Sequence, residues 1–119
     1  MKVLTSDPEI AGEIYGILYD LNVRASTVAF FHTAYAVRLA AEQPEKLLFV
    51  TKWLYPEVAK HYHTNWKAVE RNIRAVIQTV WEKSPEVLAE LAEQPLLCRP
   101  TATQFIRMLA GQVSKCNAA

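Results

Sequence analysis

The sequence predicts an all-α fold, a single compact domain of about six or seven helices. Apolar residues recur at spacings of three and four in every long segment. Strand-like alternation of period two is nearly absent. The punctuation suits helix ends: Ser, Thr or Asp precedes several periodic runs, and prolines fall at first turns. With 119 residues, 51% of them hydrophobic, the chain can form one domain around a real core without a metal or disulfide staple.

The first helix is expected from Pro8 to about Leu21, where Ile10, Ile14, Ile17, Leu18 and Leu21 share a face behind Asp7 as N-cap. The second is expected from about Ala25 to Glu42, capped by Ser26 or Thr27, with Val28, Phe31, Tyr35 and Leu39 on one stripe. Pro44 then sets up a short third helix over Glu45 to about Lys52. A fourth covers roughly Tyr55 to Tyr62, with Pro56 tolerated because it sits in the first turn. The fifth and longest runs from about Asn65 to Lys83. A sixth spans Pro85 to about Ala92, capped by Ser84. Pro95 and Pro100 bracket an irregular stretch, and Thr101 caps a last helix from about Ala102 to Gln112.

No apolar run reaches the ~18–20 residues of a membrane span. The N-terminus lacks the apolar stretch of a secretory signal. The expected location is therefore the cytoplasm, with no membrane partner. Cys98 and Cys116 are read as reduced thiols in that setting.

The net charge of +1 is unevenly spread. Residues 1–51 carry four Lys/Arg against six Asp/Glu. Residues 52–83 carry six (Lys52, Lys60, Lys67, Arg71, Arg74, Lys83) against three (Glu57, Glu70, Glu82), and residues 84–119 balance. The middle third is where a polyanion would bind.

Enzyme and metal chemistry find little support. His32, His61, His63, Cys98 and Cys116 match no common zinc spacing and are read as surface or turn histidines and plain thiols. No nucleophile–base order, phosphate loop or paired carboxylates appear. The sequence thus implies no catalytic residue, metal, cofactor or small-molecule substrate. Trp53, Tyr55, Phe30, Phe31 and Tyr35 are read mostly as core, with an interaction face as the other reading.

The informative stretch is a helix-turn-helix pattern from about Leu54 to Trp81. Val58 would fill the core, and the small Ala59 would let a second helix approach closely. His63 stands in the turn, where a residue tolerant of left-handed backbone angles is needed. Thr64 is the expected cap of the second helix. If Val69, Ile73, Ile77 and Val80 face inward, then Lys67, Glu70, Arg71 and Arg74 form an outward stripe. A recognition helix offers such a stripe to base edges in the major groove, where Arg pairs with guanine and Glu accepts from cytosine. Lys60, Thr64, Asn65 and Trp66 lie where the phosphate backbone would pass, and double-stranded DNA is the expected partner. An ordinary helical hairpin with a charged outer face fits the same pattern. So does a protein-binding module acting without DNA.

These residues resemble the DNA-binding effector domain of the stage zero sporulation protein A family. The resemblance rests on Thr51-Lys-Trp-Leu-Tyr-Pro-Glu-Val-Ala-Lys60, Val69-Glu-Arg-Asn-Ile-Arg74, Trp81 and Arg99-Pro-Thr-Ala-Thr-Gln-Phe-Ile106. It implies an all-α regulator of transcription that binds DNA, with Glu70 and Arg71 as matched base readers and Arg74 as a further basic position. It admits a homodimer, or a heterodimer with a full-length relative. Ala68 stands where the family has a base-reading Arg, so a different DNA site is expected. The family carries an N-terminal phosphorylated receiver domain, for which a chain starting at Met1 has no room. The segment after Trp81 is shorter than the family's, which points to a repressor or modulator.

Overall fold

The computed structural model describes the backbone of residues 8–93 and 96–118, and the side chains of residues 10–93 and 96–113. Helix α1 spans Pro8–Asp20 and α2 spans Val28–Glu42. A 3-10 helix over Pro44–Phe49 and a π-helical turn over Val50–Leu54 follow. Then come α3 (Tyr55–His61), α4 (Trp66–Lys83), α5 (Pro85–Ala92) and α6 (Ala102–Ala118). No strand occurs among the described residues, so the all-α class stands. The Asp7 cap, Pro95 and the Cys116 side chain lie outside the described residues.

Helix α2 is the hub, packing against α1, α4 and α6. It buries Phe30, His32, Thr33, Ala34, Ala36, Val37, Leu39 and Ala40. The stripe expected to face inward is only partly buried: Val28 is 62% and Phe31 38% exposed. A helix surrounded on several sides has no single apolar face, and its alanines let neighbouring helices approach. Around it, Leu18 of α1, Leu21 just past its end, and Phe105, Ile106, Leu109 and Val113 of α6 are fully buried. Each such side chain contributes about 1.5–3 kcal/mol relative to an exposed one.

Thr27, the second of the two expected caps, starts α2 by accepting from the Phe30 N–H at 3.1 Å. The expected third α-helix is instead the 3-10 and π pair. The wide turn falls immediately before Pro56, whose missing N–H removes the bond an α-helical turn would make to the Lys52 carbonyl. Ser84 does not cap α5 through its side chain. Its hydroxyl donates to the Leu21 carbonyl at 2.9 Å and accepts from the Asn22 amide at 2.8 Å. This ties the α4–α5 junction to the end of α1, which Asn22 closes with a left-handed φ of 68°. Helix α6 runs to Ala118, beyond the expected Gln112. It begins with a reciprocal capping box: Thr101 Oγ1 accepts from the Gln104 N–H, and Gln104 Oε1 accepts from the Thr101 N–H. Among the described residues no helix is long and apolar enough to cross a membrane.

Candidate nucleic-acid interface

Helices α3 and α4 meet through the turn that the sequence marked. Val58 and Ala59 are buried, and His63 adopts the left-handed region with φ 57°. The Thr64 N–H donates to the Ala59 carbonyl at 2.9 Å and closes the turn. Thr64 is therefore spent on the turn, and the cap of α4 is Asn65. Its backbone is extended (φ −117°, ψ 162°), and Oδ1 accepts from the Ala68 N–H at 2.9 Å. Asn65 is exposed, and this bond uses only its carboxamide oxygen.

Helix α4 is held by Val69, Ile73, Ile77 and Val80, as the spacing predicts, and also by Val76. A polar bond adds to this grip. The Asn72 amide nitrogen donates to Nδ1 of His32 at 3.1 Å. His32 is 2% exposed, which corrects its reading as a surface or turn histidine. Its ring lies 5.1 Å from that of Tyr62 at the end of α3, and burial lowers its pKa below 6.5. His61 instead stacks on Tyr35 with ring centroids 4.2 Å apart. Tyr55 and Phe30 are core, while Trp53 and Phe31 keep 40% and 38% exposure. Cys98 is a free, exposed thiol.

Lys67, Arg71 and Arg74 are exposed along one side of α4. With 100° per residue they fall within a narrow sector opposite the buried aliphatics. Arg71 makes no hydrogen bond or ion pair among the described residues. The Lys67 ammonium sits 5.9 Å from the Trp66 ring at the helix start. Glu70 lies at the edge of this sector rather than on it. Its side chain is 26% exposed and paired with Arg74 at 3.3 Å. Buried Tyr55 sits nearby, its pKa pushed up to about 12 by burial first and the Glu70 charge second, with Arg74 opposing. Lys60 and Thr64 are exposed at the end of α3 and in the turn.

An open groove of about 450 Å³ runs beside this edge, lined by Tyr55, Glu70, Arg74 and Arg99 among others. Arg99 comes from the irregular stretch before α6 and donates to Oε1 of Gln78, whose amide donates to Glu82. Gln78 and Arg99 thus shape the surface, and His32 and Asn72 brace α4 from beneath, without having been singled out as contact residues. Asn72 carried a signal, a polar residue flanking the inward face next to Ile73. Arg99 stood in a stretch that carries the family resemblance, but its pairing with Gln78, 21 positions away, left no local trace.

A short helix, a turn through a left-handed residue and a long second helix showing cations to solvent define a helix-turn-helix domain of the DNA-binding class. Over residues 14–113 the chain matches the family model described as sporulation initiation factor Spo0A C terminal, and it belongs to that family. The family is one of DNA-binding effector domains of response regulators that control transcription in sporulation, and is not an enzyme family.

Proposed function

We propose that this domain is a sequence-specific transcriptional regulator that lays α4 in the major groove of double-stranded DNA. Lys67, Glu70, Arg71 and Arg74 are its base-contacting residues. Lys60, Thr64, Asn65 and Trp66 contact the flanking phosphate backbone. The observation that carries this reading is the exposed guanidinium of Arg71, unengaged among the described residues and set opposite the buried Val69, Ile73 and Ile77. The Asn65 amide and the first N–H groups of α4 suit a phosphate at the helix start. The domain works in the cytoplasm as a homodimer, or as a heterodimer with a longer relative, and acts as a repressor or modulator.

The test is selection of bound duplexes from a random pool at physiological salt, followed by titration of the selected site and an unrelated one. Arg71→Ala should lose about 1–3 kcal/mol of discrimination between the two. Lys60→Ala should weaken both alike. Equal binding of both duplexes by wild type and Arg71→Ala would remove α4 as the reader.

A second reading has its own support. Tyr19, Leu48 and Phe49 are 73%, 68% and 57% exposed, far more than their size favours. A module that modulates a relative through exposed apolar side chains such as Leu48 and Phe49, without binding DNA itself, would form a complex that survives Arg71→Ala.

A further inference from the structure

The outward sector of α4 does not end at Arg74. Gln78, one turn further on, lies in the same sector as Lys67, Arg71 and Arg74. It receives a hydrogen bond from the Arg99 guanidinium. A cation from outside the helix-turn-helix is thereby brought onto the DNA-facing side, about 10 Å along the axis from Arg71. The Gln78 bond engages one of the five guanidinium N–H donors and leaves the others for an acceptor.

The surroundings favour an anion there. Arg74 and Arg99 line the groove beside α4 against one carboxylate, Glu70, and since Glu70 pairs with Arg74, Arg99 is the cation left over. Glu82, the nearest other carboxylate, is held by the Gln78 amide nitrogen, while Arg99 is held at the Gln78 oxygen. Pro100 fixes the backbone next to Arg99, and the Thr101–Gln104 box anchors the start of α6 immediately after it. Arg99 thus stands on a braced segment, which lowers the ordering cost of holding its side chain in place.

We infer that Arg99 is a DNA phosphate-binding residue, gripping the backbone that borders the major groove one helical turn beyond Arg74. Gln78 positions it by holding its guanidinium over α4. A helix lying in the major groove has a phosphate strand along its flank, and an arginine reaching in from a neighbouring segment meets that strand rather than the base edges. The inference rests on the proposed docking of α4.

The experiment titrates the full chain with a selected duplex and with an unrelated one over a range of salt. Wild type, Arg99→Ala, Arg99→Lys and Arg71→Ala are compared. Arg99→Ala should weaken both duplexes several-fold at low salt and reduce the slope of log K against log salt by about 0.9. Arg99→Lys should recover most of both effects, because a phosphate accepts a point charge whereas bidentate base reading does not. Arg99 is exposed, so melting temperatures should stay close to wild type. Unchanged affinity and salt slope in Arg99→Ala overturn the inference. So does a loss confined to the selected duplex, or a failure of lysine to rescue. If Arg71→Ala alters selectivity while Arg99→Ala changes nothing, only this inference falls. If wild type binds neither duplex, the docking of α4 falls with it.

Discussion

The Asn72 amide nitrogen donates to Nδ1 of His32 at 3.1 Å, joining α4 to the central helix of the core. An amide nitrogen only donates, so His32 must accept at Nδ1 and carry its proton on Nε2. Protonation of Nδ1 would set two donors against each other in a site where His32 is 2% exposed.

Acid should therefore loosen the domain. Burial holds the His32 pKa below its ordinary 6.5. In the unfolded chain the ring binds its proton at pH 6.5, and in the folded chain it does so only at lower pH. The stability tied to neutral His32 is fully present above pH 6.5 and is lost as pH falls toward the depressed value. Urea unfolding midpoints should drop between pH 7 and pH 5, and His32→Leu should flatten that part of the profile. Asn72→Ala should cost about 1–3 kcal/mol at pH 7, the range for an unsatisfied buried acceptor. Equal pH profiles for wild type and His32→Leu would show that other groups govern the acid response.

The start of α4 gives a second prediction. Asn65 Oδ1 satisfies the Ala68 N–H, while the Thr64 side chain is exposed and Thr64 contributes its backbone N–H to the turn. Asn65→Ala should destabilise the domain by about 1 kcal/mol, the usual cost of losing an N-cap. Thr64→Ala should stay within about 0.5 kcal/mol, as for most surface positions. Thermal melting of the two variants checks this, and the reverse order would return the cap to Thr64.

That contrast marks how far the sequence could be read. The inward aliphatics of α4 were legible because a helix exposed on one side buries a periodic stripe, and Val69, Ile73, Ile77 and Val80 all obey it. The left-handed His63 was legible from its place between two helical patterns. Helix α2 was not, because a hub buried on several sides hides Ala34, Ala36 and Ala40 and leaves Val28 outside. Neighbouring Thr64 and Asn65 are both good caps, and only the backbone angles decide between them. Pairings such as Asn72 with His32, 40 residues apart, leave no local trace at all.

Ala68 offers a gain-of-function test. It stands one residue after Lys67 and is half-buried at the edge of the outward sector, at the position to which the resemblance assigns a base-reading arginine. Ala68→Arg adds a side chain able to pair bidentately with guanine, worth about 1–3 kcal/mol of discrimination. Duplex selection with this variant should return a site altered at one or two positions. Identical sites from wild type and Ala68→Arg would show that position 68 does not reach the bases.

The Glu70–Arg74 pair sets up the last prediction. It is an i,i+4 ion pair at 3.3 Å with Arg74 72% exposed, so its contribution to folding is about 0.3–0.5 kcal/mol. Glu70→Ala should leave the melting temperature almost unchanged. Its effect on DNA should be twofold and opposite in sign. Removing the carboxylate deletes an acceptor for a cytosine amino group, which relaxes selectivity. It also frees Arg74 and removes a negative charge from the DNA-facing side, which strengthens binding to unrelated duplexes at low salt. Titration of selected and unrelated duplexes should therefore show the two affinities converging from both directions. A uniform loss on both would mean that Glu70 acts mainly by holding Arg74 in place, and a uniform gain would mean that it only repels the phosphate backbone.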